Sequence, residues 1–219
     1  PNKNVLPLGG KPLICWTIEA AKNSKYIDDI ILSSDDDKLL NIGMTYGIKA
    51  IKRPVELAKD EARSIDVVLY HLNQLNQKPE YIILLQPTSP FRTAKHIDEA
   101  IEFLFIKRAH AIISVCEVEH SPLWCNTLPD DLSMAHFLPK DLKGKRSQEL
   151  PKFYRINGAI YICRTEKIYK ENTFFLKENI FAYIMDRNSS VDIDTLEDLL
   201  YCETLLKART NDVVSSLLF

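Results

Sequence analysis

Short runs of Ile, Leu and Val alternate along this chain with segments whose apolar residues return every three or four positions. The runs at 30–33, 48–51, 81–85, 111–116, 159–163, 180–185 and 190–194 predict strands. Several are almost continuously aliphatic, as expected of strands covered on both faces. Helix periodicity predicts helices over 12–22, 64–76, 93–106 and 195–208. In the first, Leu13, Ile14, Thr17, Ile18 and Ala21 share one face, and Pro12 suits the opening turn. Ile65, Val68, Leu72 and Leu75 do the same behind Ser64, a good N-cap. Ile97, Ala100, Ile101 and Leu104 form the third stripe, and Leu196, Leu199, Leu200 and Leu206 the fourth. Strand and helix in alternation predict a layered α/β domain with a mostly parallel sheet.

Residues 119–155 break this rhythm. They hold Pro122, Pro129, Pro139 and Pro151 and a basic group made of Lys140, Lys143, Lys145, Arg146 and Lys152. A structureless loop of that length is improbable inside a compact domain, so an inserted arm is expected, serving a partner subunit or closing as a lid.

A chain of 219 residues suits one domain and buries a sizeable core without staples. With 28 basic against 30 acidic residues the net charge is −2, which argues against nucleic acid as the partner. No apolar run approaches the ~18 residues of a membrane span, so no membrane contact is expected. The five cysteines, Cys15, Cys116, Cys125, Cys163 and Cys202, include no CxxC pair. Zinc ribbons and disulfide frameworks therefore lack support, and a reducing cytoplasm fits. Neither GxxxxGK[ST] nor GxGxxG occurs, which sets aside P-loop and dinucleotide chemistry.

The most informative local pattern is Ser190-Val191-Asp192-Ile193-Asp194-Thr195. On a strand, Asp192 and Asp194 would face one way while Val191 and Ile193 bury. Carboxylates at a strand's C-terminal end stand where open α/β sheets bind ligands, and a paired set suits Mg²⁺ with substrate phosphates. The same residues also suit a plain helix cap, Asp194 or Thr195 with Glu197 or Asp198 closing a capping box. Gln86-Pro87-Thr88-Ser89-Pro90-Phe91-Arg92 runs from a buried strand into a turn holding an amide, two hydroxyls and a guanidinium, suited to a polyhydroxylated ligand or to a proline-stiffened turn capped by Thr93. Arg53 through Ser64 reads as a polar loop leading into a helix. Tyr154-Arg155-Ile156-Asn157-Gly158-Ala159-Ile160-Tyr161 places a basic, amide-bearing turn before a strand, with Gly158 permitting close approach. No histidine shows metal-like spacing.

Taken in order, Pro1-x-Lys3-Asn4, Leu8-Gly9-Gly10-Lys11-Pro12-Leu13, Arg53-Pro54-x-Glu56-Leu57-Ala58, Leu85-Gln86-Pro87-Thr88-Ser89-Pro90-x-Arg92, Arg155-x-Asn157-Gly158-Ala159-Ile160-Tyr161 and Asp192-x-Asp194-Thr195 resemble the acylneuraminate cytidylyltransferases over nearly the whole chain. The resemblance implies a Rossmann-like nucleotidyltransferase domain, a homodimer, and activation of a nine-carbon 2-keto sugar acid by CTP. It implies Lys3 and Asn4 on the triphosphate, and Arg53, Ala62 and Ser64 around cytosine and ribose. Gln86, Thr88, Ser89, Arg155, Asn157, Gly158 and Tyr161 would lie on the sugar side, with Asp192 and Asp194 on Mg²⁺. The 119–155 insert would be the dimerisation arm. The family's first strand and phosphate loop precede Pro-x-Lys-Asn, so the sequence is expected to be entered partway. Trp124 and Ser147 stand where some sialic-acid-specific members carry lysine and arginine. That leaves neuraminic, legionaminic and pseudaminic acids open, with related eight-carbon acids as one alternative and, given the absent phosphate loop, a non-catalytic nucleotide-binding or dimerising protein as the other.

Overall fold

The computed structural model describes residues 3–59, 61–139, 142 and 146–216. Of the expected features, Pro1 and the basic residues Lys140, Lys143 and Lys145 lie outside the described residues. After a 3-10 turn at Lys3–Val5 come β1 (Pro7–Leu8), β2 (Lys11–Pro12), α1 (Leu13–Lys22), β3 (Ile31–Ser34), α2 (Asp37–Thr45) and β4 (Lys49–Lys52). Then follow α3 (Ser64–Gln74), β5 (Tyr81–Leu84), α4 (Ala94–Lys107), β6 (Ala111–Glu117), β7 (Tyr154–Arg164), α5 (Thr165–Glu171), β8 (Ile180–Met185) and α6 (Leu196–Ser216).

The α/β class holds, and the main sheet is mixed rather than mostly parallel. Its order is β5-β7-β6-β8, with β7 antiparallel to both neighbours and β6 parallel to β8. The cause lies in the excursion between β6 and β7. The Val118 N–H donates to the Phe153 carbonyl at 3.0 Å, so the chain leaves and re-enters at the same end of the sheet. A strand starting there can only run back against β6. β3 and β4 pair in parallel as a separate two-stranded sheet, and β1 and β2 form a short hairpin.

Alternation along β7 explains the two-sided core. Ile160 and Ile162 point to one face, where Ile97, Ala100, Ile101 and Leu104 of α4 pack with Ala20 of α1. Tyr161 and Cys163 point to the other, against Ile65 and Leu72 of α3 and Ile168 of α5. α6 lays Leu199 and Cys202 on Leu13 and Phe91. The expected stripes on the four predicted helices therefore face inward at most positions, while Leu196 and Leu200 of α6 stay exposed.

Other expectations change in detail. The run 190–194 is no strand, because no neighbouring strand lies beside it. It is held instead by the Ile193 N–H on the Thr88 carbonyl at 2.9 Å. Ser64 opens α3 from inside the helix, the N-cap being Arg63, whose side chain pairs with Asp66 and makes no capping bond. Thr93 does cap α4, in a reciprocal box with His96. α2 forms where no helix was expected. Its Gly43 lets it lie so close on β3 that a Cβ there would stand 2.8 Å from Leu32 Cδ2.

Candidate active site

Four segments meet at the end of the sheet where β5 stops. They are the Lys3–Val5 turn, the Gln86–Arg92 turn, the first half of β7 and the run after β8. Lys3 Nζ donates to Asp194 Oδ1 at 2.9 Å, across 191 residues of sequence. The Thr88 hydroxyl lies close enough to the Asp192 carboxylate to favour its charged form. Arg155 Nη2 donates to the Ser190 carbonyl at 3.1 Å. Lys3, Thr88, Arg155, Asp192 and Asp194 thus form one cluster, in which the expected convergence of Lys3 with the two aspartates is joined by two residues assigned to the sugar side.

The two aspartates differ in setting. Asp194 has a side chain 73% exposed, so its contact with Lys3 is a surface pair, worth about 0–1 kcal/mol of stability. Asp192 is half-buried, and its Oδ1 is shut away from solvent with no hydrogen-bond partner. Burial pushes its carboxyl up from the usual range. The Thr88 hydroxyl and the charges of Lys3 and Arg155 pull it back, while Asp194 pushes it further up. A buried, unpartnered carboxylate oxygen next to a second carboxylate is a donor set that a cation completes. Mg²⁺ fits these residues. The helix-cap alternative holds at the same time: the Asp198 carboxylate accepts from the Asp194 N–H, the Thr195 N–H and the Thr195 hydroxyl, at 3.0, 2.8 and 2.8 Å. The Thr195 hydroxyl in turn accepts the Asp198 N–H at 3.2 Å, so Thr195 and Asp198 share the cap and leave the carboxylates of Asp192 and Asp194 free of that task.

The sugar-side residues divide. The β6–β7 register slips between the pair Ile113–Tyr161 and the pair Val115–Ile156, so β7 carries extra residues in a bulge. Gly158 sits in that bulge at φ +74°, with Gln86 Oε1 directly over it. Asn157 does not reach the site. Its side chain is 1% exposed, with Nδ2 on Ser190 Oγ at 2.9 Å and Oδ1 taking the Ala159 N–H at 3.2 Å. Ser114 Oγ completes the clasp, 2.6 Å from Asn157 Oδ1, and accepts the Ile160 N–H at 2.8 Å. Asn157 therefore fixes the bulge from behind. Ser89 is fully buried, with its hydroxyl on the Asn157 carbonyl at 3.3 Å. Tyr161 packs its ring beside Phe174 and Phe175, and Asp192 lies near enough to help burial raise its phenol. Arg92, expected to offer its guanidinium to a ligand, is turned inward and only 1% exposed.

A second group lies at the ends of β3 and β4. Arg53 Nη2 donates to the Ser33 carbonyl at 2.7 Å and Nη1 to the Leu57 carbonyl at 3.3 Å, bracing the loop that leads to Ala62 and Ser64. Asn4 leaves a buried, unpartnered Oδ1 on the 3-10 turn. Sequence reading gave no role to His71, whose Nε2 is 2.6 Å from Ser33 Oγ. A lone histidine on a helix stripe carries no signal of such a partner.

Burial pushes both His71 and His96 below the usual histidine range, with Arg53 and Lys49 adding to the effect at His71. Each stays neutral in the folded state at pH values where the unfolded chain takes up a proton. Their contribution to stability is complete above pH 6.5, the ordinary histidine value, and is lost as pH falls from there through the lowered folded values. Thermal melts between pH 8 and pH 5 (roughly one unit either side of the histidine range) are expected to show this decline, and His71→Asn to flatten it.

The cytidylyltransferase family profile matches residues 1–215. An N-acylneuraminate cytidylyltransferase of Streptococcus agalactiae serotype V is 37% identical over 203 residues, covering 92% of this chain and 48% of that protein. The chain thus spans about half the length of such relatives. A pseudaminic acid cytidylyltransferase of Campylobacter jejuni serotype O:2 is 32% identical over 213 residues, covering 95% of this chain and 91% of that protein. Among solved structures, a CMP:2-keto-3-deoxy-manno-octonic acid synthetase complexed with CTP shares the fold. Its TM-score is 0.69 at 15% identity, over 95% of this chain and 93% of that one.

Proposed function

The chain belongs to the cytidylyltransferase family, and from that premise we propose that it transfers CMP from CTP to a nine-carbon 2-keto sugar acid, releasing pyrophosphate. The observation that carries this reading is the unpartnered, buried Oδ1 of Asp192 beside Asp194 and Lys3. The relatives named for neuraminic and pseudaminic acids support the substrate class.

In this reading the anomeric hydroxyl of the sugar attacks the α-phosphorus of CTP. The protein's part is to hold the two in line and to offset charge as it grows on the phosphates. Lys3 and Asn4 face the triphosphate. Asp192 and Asp194 would hold Mg²⁺, which would supply positive charge against the phosphates. Lys3, 2.9 Å from Asp194, would bring its positive charge to the same phosphates. Arg53 braces the nucleotide loop, with Ala62 and Ser64 at its rim. Gln86, Thr88, Arg155 and Tyr161 orient the sugar acid above Gly158, while Ser89 and Asn157 shape the floor.

The excursion at 119–153 supports the proposal of a second copy. Leu128, Leu132 and Met134 are 53, 69 and 59% exposed on it, apolar side chains of the kind a homodimer arm would bury. Cys15, Cys116, Cys163 and Cys202 are buried free thiols and Cys125 an exposed one, which supports a reducing cytoplasm as the site of action.

The direct test measures pyrophosphate release with CTP and Mg²⁺ against neuraminic, legionaminic, pseudaminic and eight-carbon sugar acids. Release is expected with a nine-carbon acid and to stop on chelation with EDTA. Release with the eight-carbon acid alone, or with none of the panel, overturns the reading.

A further inference from the structure

Arg92 is the largest fully buried side chain of the molecule among the described residues, and no carboxylate pairs with it there. Its acceptors are neutral. Nη1 donates to the Gln86 carbonyl at 3.1 Å and the Ala159 carbonyl at 3.0 Å, and Nη2 to the Thr17 hydroxyl at 2.6 Å. Nε is buried without a partner. An uncompensated buried cation is expensive to hold, so a fold that keeps one invites a functional explanation.

The register of the sheet supplies it. β5 and β7 pair from Tyr81–Arg164 to Leu84–Tyr161. Two steps further the same register would set Gln86 against Ala159, but β5 has ended there. The guanidinium bridges the two carbonyls that the ladder no longer joins. It therefore fixes how far β5 and β7 splay apart at the point where Gln86 overhangs Gly158, and Thr17 of α1 sets the depth of the fork. Lysine cannot imitate this, because one ammonium lacks the planar, multi-donor geometry.

We propose that Arg92 is a positioning residue for the sugar-acid subsite, acting through the Gln86 and Ala159 carbonyls without touching substrate. The inference rests on the reading of the Gln86–Gly158 cleft as the sugar side of a cytidylyltransferase. CTP contacts are assigned to other segments, so the two substrates should respond differently. A brace that served the core alone would lower thermal stability and the active fraction, and leave both KM values where they were.

The experiment compares Arg92→Lys and Thr17→Val with wild type, using protein whose active fraction has been titrated. Arg92→Lys keeps a cation and loses the fork; Thr17→Val removes one anchor and spares both strands. The expected result is a KM for the sugar acid raised roughly tenfold or more in Arg92→Lys, and less in Thr17→Val, with the KM for CTP within about twofold of wild type. If Arg92→Lys fails to fold, Thr17→Val carries the test by the same split. Unchanged KM values, or equal shifts for both substrates, overturn the positioning role. A wild-type enzyme that turns over no nine-carbon acid overturns the functional reading itself, and this inference falls with it.

Discussion

Asp192→Asn is expected to lower CMP-sugar formation by about two to three orders of magnitude while leaving the protein as stable as before, or slightly more so. The two effects separate because of where the carboxylate sits. Burial makes the charged form of Asp192 unfavourable, and its Oδ1 has no partner inside the protein. A neutral amide keeps an acceptor for the Thr88 hydroxyl and removes the buried charge. Folding therefore loses nothing that the charge supplied, whereas the proposed cation loses its best-shielded ligand. Asp194→Asn should give the same loss of turnover with no change in melting temperature, since that side chain is 73% exposed. Initial rates at saturating CTP, paired with thermal melts at pH 7 (well clear of the ~3.9 carboxylate range), decide the matter. Unimpaired turnover in Asp192→Asn would remove the metal assignment.

Gly158→Ala comes second in size and fails in two ways at once. At φ +74° an L side chain is strained by about 1–2 kcal/mol. The new Cβ would also stand 2.5 Å from Gln86 Oε1, which must swing away to make room. For a domain of this size the backbone strain lowers Tm by roughly 2–8 °C. The displaced amide is lost to the sugar acid, so the KM for that substrate should rise while the KM for CTP holds. The double variant Gly158→Ala/Gln86→Ala tells the two effects apart. It relieves the clash and leaves both the backbone strain and the missing amide, so its stability should recover only in part and its KM should stay high.

Much of this architecture can be read from local sequence. The aliphatic runs at 81–85, 111–116 and 180–185 lie within about a residue of β5, β6 and β8; the first two are packed on both faces, while β8 is an edge strand whose Phe181 and Ile184 stay exposed. The first half of β7 escaped notice for the opposite reason. Arg155, Asn157 and Gly158 look like turn chemistry, and they belong to a strand only because Ser114 and Ser190 stitch the bulge from neighbouring segments. The direction of β7 was hidden as well, since it follows from where a long excursion returns and no local pattern encodes that. In the site, Lys3, Thr88, Asp192 and Asp194 come from motifs far apart in sequence and gather in the fold. Sequence cannot say which polar residues of a motif face the ligand and which face the core. Asn157 and Arg92 both stand among ligand-suited neighbours and both spend their hydrogen bonds inward. The alternation of Asp192 and Asp194 is visible in sequence, but the strand it suggests needs a neighbour that the fold does not provide.

The contact from Lys3 to Asp194, like that from the Gly9 N–H to Glu203 at 2.7 Å, ties together positions more than 190 residues apart. On the ribosome, the turn at Lys3–Val5 emerges long before its counterpart does. α1 and the strands can collapse early on local contacts, while closure of the end that holds Lys3 and Gly9 waits for residues beyond Glu203 to clear the exit tunnel. A nascent chain therefore lacks the pairing of Lys3 with Asp194 until almost the whole domain has emerged.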